Sequence, residues 1–457
     1  MFKPEIFKAY DIRGVYGQDF DNDLAYRLGQ AYVALRRKDP DYLKSSDRMQ
    51  VVVGRDMRLS SEDIKSSLIE GLLDAGADVI DINLVSTPTF YFAVANYNYD
   101  GGLMISASHN PKEWNGFKIV RSKARPVSGD SGLQDLLKLV EANDFPKIKD
   151  RGELRILDNV LEEQIRHDLK YAQAEQIKAL KVVVDTANGM GSLYIERLFN
   201  LIPPKLIPLN FELDGSFPIH EADPLKEENN QQIKATIIKE KADLGIAIDG
   251  DGDRVFFFDN QGQTINQAII RGLLAKLFLK DKPKSKIGYD IRPGKITEDL
   301  ILENGGEAVV TKVGHALIKE QMLKDNIYFA GESSGHFYLN LEIGCFEMPV
   351  IIILKMLQEI SSQSVSAADY IKPFNKYYLS GEINSEVKDK VASLEKLAKK
   401  YADGKINKLD GLSVSYPDFW FNVRGSNTEN KLRLNLEATR PEIMKAKTEE
   451  VLKLIRE

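Results

Sequence analysis

The chain has 457 residues, 43% hydrophobic and 28% charged, with 62 Lys plus Arg against 68 Asp plus Glu for a net charge of −6; about 150 residues per domain predicts three domains, with two to four in range. Only 32 Gly and 17 Pro are present, which excludes collagen-like and low-complexity chains, and the single cysteine, Cys345, excludes an intramolecular disulfide and a cysteine-based zinc site. No polybasic block appears, which disfavours nucleic-acid and anionic-membrane surfaces. Met1 to Glu5 has no signal-peptide core, and the longest apolar stretch, Met348 to Leu357, is broken by Lys355 and is shorter than the ~20 residues needed to span a bilayer. A cytoplasmic protein is expected.

Short β-branched runs alternate with longer helical patterns, predicting α/β architecture. Val51-Val52-Val53 leads through Gly54-Arg55-Asp56 to a capped helix starting at about Ser60. Gly101 to Met104 then precedes the polar loop Ser106-Ala107-Ser108-His109-Asn110-Pro111, with Asn115-Gly116-Phe117-Lys118 just downstream. Val182 to Asp185, Thr186 to Gly189 and a helix near Leu193 to Phe199 begin a second such unit, which ends in the apolar run Leu244 to Ile248 and the loop Asp249 to Arg254. Ile287 to Asp290, Ile291 to Gly294 and a further helix begin a third, ending in Gly331 to His336. A diverged threefold repeat is expected, with its loops at the carboxyl ends of strands, where α/β sheets place ligands. Beyond about residue 372 the texture changes. A strand over Tyr377 to Ile383, a Lys-rich helix over Ser393 to Tyr401, hairpin-like strands and a terminal helix over Pro441 to Arg456 predict a smaller α+β domain. Domain boundaries are expected at 1–150, 151–258, 259–372 and 373–457.

Asp249-Gly250-Asp251-Gly252-Asp253-Arg254 carries the strongest chemistry. Three carboxylates two residues apart repel by roughly 1–4 kcal/mol per close pair, and a hard divalent cation removes that cost. An EF-hand would need Gly and Glu where Arg254 and Asn260 stand, so a catalytic Mg²⁺ with open coordination positions is the better reading. Ser108 is expected on an exposed turn before Asn110-Pro111; a hydrolase nucleophile elbow would need glycine at Ser106 and Asn110. Lys118 adds a cation that could return to the same loop. Glu332, Ser334 and His336 alternate, so they can offer an acceptor, a hydroxyl and an imidazole on one side. Of the five histidines, 109, 315 and 336 lie in Gly- or Asn-flanked loops, whereas His167 and His220 read as surface or packing residues. Arg424, Ser426, Asn427, Thr428 and Arg433 combine the guanidiniums, hydroxyls and amide that grip a phosphate dianion. A P-loop is absent, because Tyr289 stands where one before Gly294-Lys295 needs glycine.

Together these loops resemble the α-D-phosphohexomutase superfamily, in particular its phosphomannomutase/phosphoglucomutase branch. The likeness runs in order from Phe7-Lys8-Ala9-Tyr10-Asp11-Ile12-Arg13-Gly14 through Ser106 to Pro111, Asp249 to Arg254 and Gly331 to His336, ending at Arg424 to Thr428 with Leu432-Arg433-Leu434. It implies three similar α/β domains with mixed sheets plus a smaller α+β C-terminal domain around one central cleft. It implies Ser108 as the phosphoserine and a metal ligand, with Asp249, Asp251 and Asp253 holding Mg²⁺. Arg13, Lys118 and Arg254 would stabilise the transferring phosphoryl, and Lys118 and His336 would trade protons with the sugar hydroxyl. Tyr10, His109, Arg292 and His315 would line the substrate site, Glu332 and Ser334 would hold sugar hydroxyls, and Arg424, Ser426, Asn427, Thr428 and Arg433 would clamp the non-reacting phosphate. Three features depart from the family pattern: Arg292 stands where many relatives carry Lys, Asn430 replaces a usual Pro, and Glu342 to Glu347 lacks the usual Asp-Gly-rich start of a helix.

The activity so implied interconverts the 1- and 6-phosphates of mannose and/or glucose through a hexose 1,6-bisphosphate, with glucose 1,6-bisphosphate or mannose 1,6-bisphosphate as activator. Phosphoglucosamine mutase is the alternative within the class, softly opposed by Phe117, where that branch more often has Ile. A non-catalytic phosphosugar-binding relative and a metal-dependent phosphatase are the alternatives outside it. The expected partner is a small phosphosugar, with no nucleic acid and no membrane, in a monomer or weak homodimer. A hinge is expected near residues 366–376.

Overall fold

The computed structural model describes residues 2–39, 42, 48–425 and 431–457. Two compact units emerge from its packing: the segment ending at Thr264 together with Ser334–Ala367, and Ile265–Ser333 together with Ala368–Glu457.

The first unit begins with β1 (Ile12–Val15), β2 (Gln50–Arg55), β3 (Asp78–Leu84), β4 (Gly101–Ile105), β5 (Trp114–Arg121) and β6 (Leu154–Ile156), in the sheet order β1-β5-β4-β2-β3-β6. β2 lies parallel to β3 and β4, and β4 antiparallel to β5. A parallel neighbour demands a crossover, which the helices Ser61–Asp74 and Thr87–Asn96 provide. The second sheet repeats the rule with β7 (Lys181–Asp185), β8 (Lys205–Leu209), β9 (Leu244–Ile248) and β10 (Val255–Phe258), ordered β10-β9-β7-β8. Here β7 is parallel to β8 and β9, while β9 is antiparallel to β10.

In the second unit β11 (Lys286–Asp290) lies between two parallel partners, β12 (Glu307–Thr311) and β13 (Phe329–Gly331). The sequence strand, helix, strand, helix, strand thus occurs three times, and β4, β9 and β13 each run out into one of the polar loops. β2, β7 and β9 are rich in Val or Ile and, like β11, are buried on both faces over most of their length, as central parallel strands must be.

Back in the first unit, β14 (Phe337–Asn340) and β15 (Cys345–Glu347) form an antiparallel hairpin before the helix Pro349–Ser361. That helix is apolar on nearly every face, so it is buried all round, including Lys355 and Glu359, and it packs on the helix Val160–Ala172. No described helix is long and apolar enough to cross a membrane.

The C-terminal sheet joins β16 (Tyr378–Glu386), β17 (Lys405–Asn407), β18 (Leu412–Ser415), β19 (Phe419–Gly425) and β20 (Lys431–Ala438) in the antiparallel order β16-β20-β19-β18-β17. Leu397, Phe421, Leu434 and Val451 anchor its core under the helices Lys390–Lys400 and Pro441–Arg456. The chain is therefore α/β with three similar domains and an α+β C-terminal one.

One local expectation fails. Ser60 precedes the helix Ser61–Asp74 but its hydroxyl does not cap it. Asn115 Nδ2, arriving from β5, donates to Ser60 Oγ at 2.9 Å and to Ser61 Oγ at 3.0 Å, diverting the cap towards the loop after β4.

Candidate active site

In the loop after β4 Ser106 to Ser108 are buried rather than exposed, His109 and Asn110 are half-buried, and Pro111 is exposed. Ser108 is 1% accessible and holds φ +51°, a left-handed conformation that a serine adopts only under constraint. Its N–H donates to Ser106 Oγ at 2.9 Å, its carbonyl accepts from Arg58 Nη2 at 2.8 Å, and its Oγ donates to Asp249 Oδ2 at 2.8 Å. The His109 Nδ1 atom lies 3.2 Å from the same Oγ. Gly250 makes this approach possible: a Cβ there would lie 2.5 Å from the Ser108 carbonyl oxygen.

Asp249, Asp251 and Asp253 are all buried, and one oxygen from each falls within 4.8 Å of the others. Asp249 Oδ1 accepts from the N–H groups of Asp253 and Arg254, both at 3.1 Å, which winds the loop around that carboxylate. Asp251 Oδ2 accepts from Thr87 Oγ1 at 2.7 Å, while its Oδ1 is buried without a hydrogen bond. Burial and the charges of Asp253 and Asp251 push the Asp249 carboxyl up to about 8. A buried all-oxygen set with an orphaned atom, destabilised by its own charge, fits a hard divalent cation.

Cations surround this set. Lys118 Nζ lies 2.7 Å from Asp251 Oδ2 and also contacts Asp253 Oδ2. Burial alone would lower the Lys118 ammonium, but Asp251 and Asp253 outweigh it and hold it well above the usual lysine range. Arg13 donates through Nε to Asp11 Oδ2 at 2.7 Å and through Nη1 to Asn110 Oδ1 at 2.8 Å, tying β1 to the Ser108 loop. Arg254 Nε sits 3.6 Å from Asp249 Oδ2 and 3.4 Å from His336 Nε2. His336 is held on both sides, by Asp253 Oδ1 at 3.2 Å from Nε2 and Ser334 Oγ at 2.9 Å from Nδ1. Burial, together with Arg254 and Arg13, drives His109 well below the ordinary imidazole value, so its ring is neutral near pH 7. Tyr10 is half-buried in the bend before β1.

The first unit thus brings together Ser108, the three aspartates, Arg13, Lys118, His109, Arg254, Ser334 and His336. In the second unit, Glu332 Oε1 accepts from Arg292 Nη2 at 3.2 Å and from the Gly314 N–H at 3.1 Å. Arg292 Nε also donates to Asp290 Oδ2 at 2.8 Å, and Asp290 accepts from the Ser333 N–H at 2.9 Å, so one buried carboxylate orients both Arg292 and the loop after β13. His315 is half-buried at the first position of the helix His315–Asp325. Arg424 and Arg433 face each other across β19 and β20 and share Glu382, at 3.3 Å and 3.4 Å. Ser426, Asn427 and Thr428 lie outside the described residues.

Several participants escaped the sequence reading. Arg58 and Asp56 lie under the Ser108 loop, and the only available signal was an Asp-x-Arg following a buried strand. Asp11 and Asn110 orient Arg13. His220, read as a surface or packing residue, pairs through Nε2 with Asp185 Oδ2 at 3.1 Å and donates through Nδ1 to the Glu221 carbonyl, 2.8 Å away.

Family models described as phosphoglucomutase/phosphomannomutase alpha/beta/alpha domains I, II and III match residues 4–147, 161–262 and 266–377, and that family's C-terminal domain matches 382–454. The chain is similar to a phosphomannomutase from Escherichia coli, 39% identical over 464 residues that cover 98% of this chain and 99% of the relative. It is 38% identical over 465 residues to a phosphomannomutase from Vibrio cholerae, covering 98% of each. Among solved structures, a phosphoglucomutase/phosphomannomutase family protein from Burkholderia thailandensis matches with TM-score 0.87 and 30% identity, over 99% of this chain and 98% of that one.

Proposed function

The chain belongs to the phosphoglucomutase/phosphomannomutase family and is a phosphohexomutase, an enzyme that transfers phosphate within its substrate; from that premise we propose that it interconverts the 1- and 6-phosphates of mannose and/or glucose through phospho-Ser108. The observation that carries the residue assignment is the Ser108 Oγ–Asp249 Oδ2 contact at 2.8 Å, inside a buried carboxylate triad lined with cations.

One phosphoryl group cannot reach from O1 to O6 of a hexose in a single step, so a carrier is required. The phosphoryl leaves Ser108 Oγ for the free sugar hydroxyl, giving a hexose 1,6-bisphosphate and returning Ser108 as the alcohol. After the sugar turns over, its other phosphate is handed back to Ser108. The hydroxyl proton passes to His336, which Asp253 and Ser334 fix from both ring nitrogens. Lys118, held charged, neutralises the phosphoryl and gives its own proton to the departing Ser108 oxygen, while His336 keeps the one taken from the sugar; the return transfer runs both exchanges in reverse. Arg13 and Arg254 add charge that is already oriented, so little reorganisation accompanies transfer. Mg²⁺, held by Asp249, Asp251, Asp253 and a Ser108 oxygen, would supply further charge neutralisation at the phosphoryl. Ser334 would hold a sugar hydroxyl, with Tyr10 and His109 of the same unit contributing to substrate binding; in the second unit Glu332 would hold a sugar hydroxyl, and Arg292 and His315 would contribute to substrate binding. Arg424 and Arg433 would hold the distal phosphate, with the loop 426–428 between them in sequence. Glucose 1,6-bisphosphate or mannose 1,6-bisphosphate would prime Ser108, and a cytoplasmic location agrees with a single, buried cysteine, Cys345, that has no second cysteine in the chain to form a disulfide with.

The test is a coupled assay for glucose 6-phosphate from glucose 1-phosphate, with Mg²⁺ and a trace of glucose 1,6-bisphosphate, run beside mannose 1-phosphate and glucosamine 1-phosphate. Turnover of glucose or mannose phosphate is expected. Turnover of the glucosamine compound alone would reassign the sugar, and silence on all three would overturn the reading.

A further inference from the structure

Arg58 is a fully buried guanidinium whose terminal nitrogens all meet protein acceptors. Its Nη1 donates to the carbonyls of Pro111 at 2.7 Å and Trp114 at 2.9 Å, and its Nη2 to those of Ser108 at 2.8 Å and Asn110 at 2.6 Å. Nε faces Asp56 Oδ2 at 3.3 Å. Both terminal nitrogens are therefore committed to one loop. Four carbonyls converging on one planar cation fix the path of residues 108–114, and with it the left-handed φ of Ser108.

A second domain seats this cation. The Phe217 ring lies 5.1 Å from the Arg58 guanidinium carbon. Gly215 passes so close that a Cβ there would lie 2.6 Å from the Met57 carbonyl oxygen and 2.7 Å from Arg58 Cα. The same loop is anchored below by His220 on Asp185 and reaches Arg254 through Asp223 at 4.0 Å.

We propose that Arg58, seated by Phe217, is the positioning residue that aims Ser108 Oγ at its phosphoryl partners, acting through four loop carbonyls and touching neither substrate nor metal. The inference rests on the reading of Ser108 as the phosphoryl carrier. Lysine keeps the charge but gathers its donors on one atom and cannot span four carbonyls. A loop set loose by it shifts Oγ by a fraction of an ångström to an ångström, and displacements of that order cost up to about a hundredfold in rate.

The experiment compares wild type, R58K, F217L and S108A with Mg²⁺ and glucose 1,6-bisphosphate. Intact mass counts the molecules that accept a phosphoryl, and turnover is expressed per such molecule. R58K is expected to lose at least tenfold in kcat per phosphorylated molecule, with KM for the hexose phosphate within threefold of wild type. Its phosphoserine is expected to lose a larger share of phosphoryl to water relative to sugar, a ratio that a mere fall in folded fraction leaves unchanged. F217L is expected to move the same ratio in the same direction by less, and it covers the case in which R58K does not fold. Wild-type turnover per site and a wild-type water-to-sugar ratio in both variants would overturn the role of Arg58. Wild type that takes no phosphoryl at Ser108, matching S108A, would instead overturn the carrier reading and the inference with it.

Discussion

Lys118 Nζ rests 2.7 Å from Asp251 Oδ2 and also against Asp253, so one ammonium is shared between two of the three carboxylates in the triad and offsets one unit of their charge. A divalent cation entering there competes with that charge, and removing it leaves the set more negative. Lys118→Met is therefore expected to tighten Mg²⁺ or Mn²⁺ binding severalfold in a metal titration while lowering kcat by about 10²–10⁴-fold, the usual worth of a proton-transfer group. Metal binding unchanged or weakened in the variant would show that the ammonium and the cation do not compete.

Ser108→Ala removes the proposed carrier but none of the arginines. It is expected to take up no phosphoryl from glucose 1,6-bisphosphate by intact mass, to lose turnover, and to bind glucose 1-phosphate within a few-fold of wild type by calorimetry. Substantial residual mutase activity would refute the assignment of Ser108.

Gly116 pairs with Arg13 across β1 and β5, and a Cβ at this position would lie 2.0 Å from the Ile12 carbonyl oxygen. Backbone atoms cannot step aside as a flexible side chain can. Gly116→Ala is expected to cost about 1–3 kcal/mol, as overpacking does, and to weaken catalysis further by shifting Arg13 away from Asn110. Chemical denaturation and kcat on the same sample test both effects.

His220 supplies a pH dependence. Burial would lower its imidazole, but the hydrogen bond to Asp185 and that carboxylate's charge outweigh burial and raise it above the ordinary value. A raised folded-state value means that stabilisation is fully present below the unfolded value of about 6.5 and is lost as pH climbs through the folded one. The gap in denaturation midpoint between wild type and His220→Gln should accordingly shrink from about pH 6 upward. A gap that widens with pH would contradict the pairing.

Much of the site was written in contiguous motifs, because phosphoryl and metal chemistry need several oxygens or cations within a few ångströms and short Gly-punctuated loops supply them. Ser108, Asp249 to Asp253, Lys118 and His336 were readable for that reason, as was the thrice-repeated strand and loop. Arg58 and Phe217 were not. Their effect arises where two chain segments far apart in sequence pack together, and neither residue type is unusual in a helix-leading turn or a loop. The Ser60 cap failed for a similar cause: local propensity favoured it, but Asn115 from another strand claimed the hydroxyl. Ser108 was expected on an exposed turn because Asn-Pro usually marks one, and the burial imposed by Arg58 and Gly250 overrides that local signal.

The close pass of Gly250 over the Ser108 carbonyl joins the nucleophile loop and the acidic loop backbone to backbone. A chain in which only the first domain has formed holds Ser108 without Asp249 and without Phe217 behind Arg58. Its hydroxyl is then an ordinary alcohol. On the proposed role of Ser108, the phosphoryl-carrying serine would come into being only once both domains have formed around it, and a nascent or half-unfolded molecule would be chemically silent towards the phosphorylated metabolites around it.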